Sequence, residues 1–128
     1  MLSAGTDSLD PPRYTRLVTD APPDLLIPTL GVDTRAWHYG DPDAAPLILV
    51  HGFRGDHHGL DEIARELVAR VPEIRTIVPD LPGFGATPAI PGREHDLALY
   101  GEWLRAFAAD AAPGGHAILG HSFGSLVV

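Results

Sequence analysis

From residue 47 onward the chain falls into alternating blocks of apolar and mixed residues. Leu47 to Val50 is an unbroken apolar run closed by His51-Gly52, the pattern of a strand covered on both faces in a parallel sheet. Leu60, Ile63, Ala64, Leu67, Val68 and Val71 then recur at helical spacing, with Asp61, Glu62, Arg65, Glu66 and Arg70 on the opposite face. This predicts an amphipathic helix that Pro72 stops. Ile74 to Pro79 reads as a second strand, followed by the loop Asp80-Leu81-Pro82-Gly83-Phe84-Gly85. A second helix begins near Glu94 to Asp96 and runs through Leu97, Tyr100, Leu104, Phe107, Ala108 and Ala111 to the stop at Pro113-Gly114-Gly115. Ala117 to Leu119 reads as a third buried strand, and Leu126-Val127-Val128 starts another helix.

The pattern before residue 47 is weaker. Residues 1 to 12 are small, acidic and proline-bearing, as expected of a flexible lead-in. Tyr14 to Thr19 and Ala36 to Tyr39 read as short strands separated by A-P-P-D-L-L-I-P, and Gly40-Asp41-Pro42-Asp43 is a turn. The expected fold class is therefore α/β. It is a three-layer sandwich around a mostly parallel sheet with an antiparallel start, joined by right-handed crossovers. Residues 13–128 are expected to form one partial domain.

Composition narrows the function classes. The formal net charge is −8, and the nine basic residues are all arginines scattered singly, so no stripe exists that would track a phosphate backbone and no nucleic-acid partner is expected. The absence of cysteine excludes disulfides, thiolate nucleophiles and Cys-based metal sites. The start of the chain has no basic and apolar leader pattern, and no later stretch approaches the eighteen or so apolar residues of a membrane span. The expectation is a cytoplasmic protein without a membrane partner.

The candidate chemistry lies at the ends of two strands. Gly120-His121-Ser122-Phe123-Gly124 has the G-x-S-x-G form between an apolar strand and a helix onset. There the two glycines let strand and helix backbones pass closely, and the turn lifts the Ser122 hydroxyl and the Phe123 amide above the sheet. His51-Gly52-Phe53-Arg54-Gly55 ends the first parallel strand, and its glycines free the Phe53 N–H to join the Phe123 N–H as paired donors for an oxyanion. His51 reads as a residue that fixes this loop, and Arg54 as either solvated or facing substrate. Asp56-His57-His58 departs from the H-x-H-x-D-H pattern of dinuclear zinc hydrolases. Asp56 reads instead as a helix N-cap and the two histidines as exposed. No metal and no cofactor are expected.

Three motifs in order, H-G-F at 51–53, D-L-P-G-F-G at 80–85 and G-H-S-F-G at 120–124, make the segment from about Leu25 to Val128 resemble the N-terminal half of an α/β-hydrolase fold enzyme of the esterase, lipase and haloperoxidase-like branch. The resemblance implies that Ser122 is the nucleophile and that the amides of Phe53 and Phe123 form the oxyanion hole. It also makes His51, Gly52, Asp80, Gly83, Gly85, Gly120 and Gly124 the structural motif around them. A serine at the elbow implies acyl transfer to a hydroxyl; dehalogenases and epoxide hydrolases of this fold place an aspartate there.

The family orders its triad serine, acid, histidine. No acid or histidine follows Ser122, and all seven histidines (His38, His51, His57, His58, His95, His116 and His121) precede it. The chain is thus expected to be a fragment with a truncated form of the fold, lacking the acid and base and inactive by itself. The expected partner is a small-molecule acyl substrate. Ester, lactone, amide, C–C bond and peracid chemistry all stay open. The unpaired strand Ala117 to Leu119 is expected to promote self-association. The alternative on the same residues is a non-catalytic half-hydrolase that serves as a binding or interaction module.

Overall fold

The apolar runs assemble into one five-stranded mixed sheet in the computed structural model, which describes residues 25–128. β1 (Leu25–Thr29) and β2 (Val32–Tyr39) form a hairpin around Leu30 and Gly31, whose φ angles of 50° and 88° supply the left-handed turn that matches the twist of the strands. β2 pairs antiparallel with β4 (Ile74–Pro79), and β3 (Ala45–Val50) pairs parallel with both β4 and β5 (Ala117–Gly120). The order across the sheet is β1-β2-β4-β3-β5.

Each face of the sheet carries helices, so the three-layer expectation holds. Successive residues of a strand point to opposite faces. Ile48, Val50 and Ile77 pack with Leu99, Tyr100, Trp103, Leu104 and Phe107 of α2 (Leu97–Ala111) and with Val127 of the single-turn α3 (Gly124–Val127). Leu49 and Val78 pack on the other face with Leu60 and Ala64 of α1 (His58–Arg70). Trp103 is fully buried at the centre of the larger cluster, where its Nε1–H donates to Thr34 Oγ1 at 2.9 Å and its ring stacks on Phe107. Full burial of a side chain such as Phe107 stabilises by roughly 3 kcal/mol. α2 starts where expected: Asp96 is its N-cap and its carboxylate accepts from the Leu99 N–H at 2.9 Å.

Several expectations are corrected. The segment A-P-P-D-L-L-I-P, read as a separator, contains most of β1. Pro28 is tolerated because β1 is the outermost of the described strands, where a residue without an N–H leaves no central ladder broken. β2 begins at Val32 rather than Ala36, since the polar Thr34 faces the core and satisfies Trp103. On α1, Asp61 was assigned to the polar face but is buried, accepting from the Tyr39 hydroxyl at 2.8 Å, while Ile63 is 47% exposed. Leu97 of α2 is likewise exposed, and Leu99 and Trp103 take the core positions. β5, read as fully buried, is the last strand in the sheet order, and Leu119 is 42% exposed. The lead-in 1–12 and the strand Tyr14 to Thr19 lie outside the described residues.

Candidate active site

The sheet order reverses between β3 and β5. After β3 the chain crosses to α1 on one face, and after β5 it enters α3 on the other. The two loops therefore part, and a crevice opens at the carboxyl ends of the strands, the usual place for a ligand in an open α/β sheet. A cavity of about 240 Å³ lies there, lined by His51, Gly52, Phe53, Asp56, Leu60 and Ser122 among others.

Ser122 sits on the turn between β5 and α3 with φ of 57°, a left-handed conformation that costs a non-glycine residue roughly 1–2 kcal/mol. The neighbouring glycines explain how the turn closes. A Cβ on Gly120 would run into the carbonyl of Gly124, and one on Gly124 would run into the carbonyl of Val50. The turn is held by the Gly124 N–H donating to the His121 carbonyl and the Ser125 N–H to the Ser122 carbonyl, both at 2.9 Å. The Ser122 side chain is thereby presented on the exposed side of the crevice.

The loop after β3 lies directly beside it. A Cβ built on Gly52 would stand 3.3 Å from Ser122 Cβ and 3.7 Å from its Oγ, so a larger residue would press on the serine. Among the described residues, neither the Phe53 nor the Phe123 backbone N–H donates a hydrogen bond. Each of the two loops thus carries one backbone donor that is unspent among the described residues.

The shell behind the loops is polar and tightly paired. His51 is buried; its Nε2 accepts from the Leu81 N–H at 3.0 Å, which leaves Nδ1–H to donate to the Gly52 carbonyl at 2.8 Å. Burial pushes its pKa below the ordinary imidazole value, partly offset by the Gly52 carbonyl. Asp80 is also buried. Its Oδ1 accepts from the His57 N–H at 2.7 Å and from His57 Nδ1 at 3.0 Å, and its Oδ2 from the Ala86 N–H at 2.8 Å. Burial alone would raise the Asp80 pKa, but the hydrogen bonds from His57 and Ala86 outweigh it and hold the carboxyl below the ordinary value. A side chain on Gly85, at φ of 52°, would overlap the Asp80 carboxylate; Gly83 has φ of 86°.

His57 corrects the reading of an exposed histidine. It is buried, bonded to Asp80 and stacked on Trp37 with ring centroids 3.3 Å apart. Nothing in the local pattern signals this, because its partners come from β2 and the loop after β4. His58 is exposed as expected; Asp56 accepts from its N–H at 2.9 Å, but the N-cap of α1 is His57, one residue later than expected from the sequence, and His57 makes no side-chain capping bond. The ligand atoms of Asp56, His57 and His58 lie within 4.8 Å of one another, closer than the spacing suggested, but His57 is held by Asp80 and His58 by Asp56.

All seven histidines fall among the described residues, and no histidine or carboxylate there hydrogen-bonds the Ser122 Oγ.

Residues 45–128, well over half of the chain, match the model of the alpha/beta hydrolase fold. The chain belongs to this family. Among solved structures it is similar to a thioesterase domain from the curacin biosynthetic pathway (18% identity, TM-score 0.73, covering 84% of this chain and 40% of that one). It is similar too to a bacterial membrane phospholipase A described as a virulence factor (21%, 0.75, 98% and 38%). A third is epoxide hydrolase A from Mycobacterium thermoresistibile (22%, 0.62, 84% and 33%). At these identities the likeness is one of fold. The chain spans two fifths or less of the length of these three structures. No protein of curated function matches it by sequence. No helix among the described residues is long and apolar enough to cross a membrane.

Proposed function

We propose that this chain carries the nucleophile and the oxyanion hole of a serine hydrolase that acts by acyl transfer on a small-molecule acyl substrate. The observation that supports the reading is Ser122 held at a left-handed φ on the turn after β5, next to the loop after β3, while the Phe53 and Phe123 N–H groups donate to no other residue among those described. Ser122 Oγ attacks the substrate carbonyl carbon and passes its proton to a general base. The carbonyl oxygen becomes an oxyanion that accepts from the Phe53 and Phe123 N–H groups. Collapse expels the leaving group with a proton and leaves an acyl ester on Ser122, which water then hydrolyses. Dehalogenases and epoxide hydrolases form their ester on a carboxylate, so the serine supports acyl transfer over those activities.

The base and acid come, in this reading, from residues outside the 128. That no base bonds Ser122 among the described residues favours one competitor, the non-catalytic module. A fluorophosphonate probe and a p-nitrophenyl ester separate the two. The 128-residue chain labels and turns over slowly, because loss of the histidine costs on the order of a million-fold in kcat in a serine hydrolase. A longer form that supplies a histidine labels fast, and Ser122→Ala abolishes both signals. A longer form whose Ser122 stays inert supports the binding module.

A further inference from the structure

The loop after β3 is cradled by the loop after β4 along its whole length. At its start the Leu81 N–H donates to His51 Nε2 at 3.0 Å, and the Phe84 ring stands edge-on to the His51 ring with centroids 5.7 Å apart. In its middle the same Phe84 ring meets the Phe53 ring at 5.8 Å. Further on, a Cβ placed on Gly85 would stand 3.0 Å from Asp56 Cβ, so the two loops touch there as well. At its end Asp80 Oδ1 accepts from the His57 N–H at 2.7 Å and from His57 Nδ1 at 3.0 Å. Among the described residues, the one backbone bond within 51–57 runs from the Gly55 N–H to the Gly52 carbonyl at 3.1 Å.

The His57–Asp80 contact differs in kind from the others. Both residues are buried, and the second Asp80 oxygen is taken by the Ala86 N–H at 2.8 Å. The carboxylate only accepts, so His57 Nδ1 carries the proton and the bond is charge-assisted. Stacking on Trp37 holds the imidazole plane in place, with centroids 3.3 Å apart. Neither His57 nor Asp80 lines the cavity beside Ser122, so the pair acts on that cavity only through the loop it holds.

We propose that His57 is a positioning residue: by bonding Asp80 it latches the far end of the loop 51–57 and fixes Gly52 and Phe53 against Ser122. The use made of the loop rests on the acyl-transfer reading; the latch does not. A loop anchored at His51 alone could swing about that end. Two anchors, on the adjacent residues Asp80 and Leu81, remove that freedom, because a fully satisfied buried network rigidifies the segments it joins. Displacing a group at a reacting centre by about 1 Å can cost on the order of a hundredfold in rate, which is what such a latch prevents.

The experiment is NMR on the 128-residue chain with two substitutions. His57→Phe keeps a ring against Trp37 and removes the Nδ1–H, whereas His57→Asn gives up the ring and keeps a side-chain N–H donor one bond beyond Cγ. Exchange of the Gly55 amide reports the closed loop, and exchange of the Trp103 amide in α2 reports the fold. The nuclear Overhauser signal between the Gly52 α and Ser122 β protons reports the loop against the serine, since a Cβ on Gly52 would stand 3.3 Å from Ser122 Cβ. In His57→Phe the Gly55 amide exchanges at least about tenfold faster, the Gly52–Ser122 signal weakens and Trp103 exchanges as in the parent. In His57→Asn all three stay close to the parent. A Gly55 amide unchanged in His57→Phe, or not restored in His57→Asn, overturns the proposal. So does an equal rise in exchange at Gly55 and Trp103, the mark of a residue that serves the fold alone, and so does a Gly52–Ser122 signal that keeps its intensity while Gly55 opens. None of these readouts involves the chemistry of Ser122. A loop that answers to His57 beside a serine inert to fluorophosphonate in a longer form defeats the acyl-transfer reading and leaves the latch, and a reactive serine beside a loop indifferent to His57 does the reverse.

Discussion

At the scale of single residues, the site is made by backbone more than by side chains. Ser122 holds a left-handed φ because the glycines on either side let β5 and α3 pass within van der Waals distance. Ser122→Gly and Ser122→Ala both remove the hydroxyl, but only glycine removes the strain. Ser122→Gly is therefore expected to unfold at higher denaturant than Ser122→Ala, by about 1 kcal/mol in equilibrium unfolding. Equal stabilities would show that the turn imposes no strain. The proposed oxyanion donors are backbone groups as well. In a form of the protein that turns over esters, Phe53→Pro deletes one N–H and lowers kcat by roughly 10²- to 10³-fold, whereas Phe53→Leu keeps the N–H and changes kcat much less. Steady-state kinetics on the two variants checks this, and equal losses would mean that the ring, not the amide, matters. The glycine spacing of the elbow was legible in the sequence because it is a local requirement. The His57–Asp80 pair was not, because the two residues are far apart along the chain and neither breaks the local pattern.

At the scale of elements, the helices and parallel strands were legible because each buries an apolar stripe or run, and a period survives in the sequence. β1 was hidden because its Pro28 reads as a breaker and only an edge position makes it harmless. The opposite edge carries the next prediction. β5 pairs with β3 alone among the described strands, and Ala117 and Leu119 are exposed. An open, apolar strand edge is a template for pairing with another chain. The isolated 128 residues are expected to run as dimers or larger species in size-exclusion chromatography with light scattering, and Leu119→Lys to shift them toward monomer. A monodisperse wild-type monomer would contradict this.

At the scale of the whole molecule, the loops beneath the site are coupled to pH. His51 has a folded pKa below its unfolded value near 6.5, because it is buried and its Nε2 must stay unprotonated to accept from Leu81. In the window below that value the unfolded state binds the proton first, so the stability His51 contributes is present above about pH 6.5 and is lost as pH falls through the folded pKa. Asp80, depressed below 3.8, adds a second loss of the same sign at lower pH. Thermal melts between pH 8 and pH 5 are expected to fall for the wild type and to be flatter for His51→Gln, which has no imidazole to titrate. A wild-type melt that is level across pH 6.5 would show that His51 does not couple protonation to folding.

The sequence by itself determined the succession of strands and helices from Leu47 onward, the amphipathic faces in outline, and the elbow with its flanking glycines. All of these are set by residues within a turn or two of each other, where periodicity and steric demands act directly. Only the tertiary structure decided which described strand lies at each edge of the sheet, that Asp61 and His57 are buried, and that the loop after β3 comes to lie beside Ser122. The physical reason is that these depend on contacts between segments tens of residues apart, such as His51 with Leu81 and His57 with Asp80, whose energies leave no period in the chain.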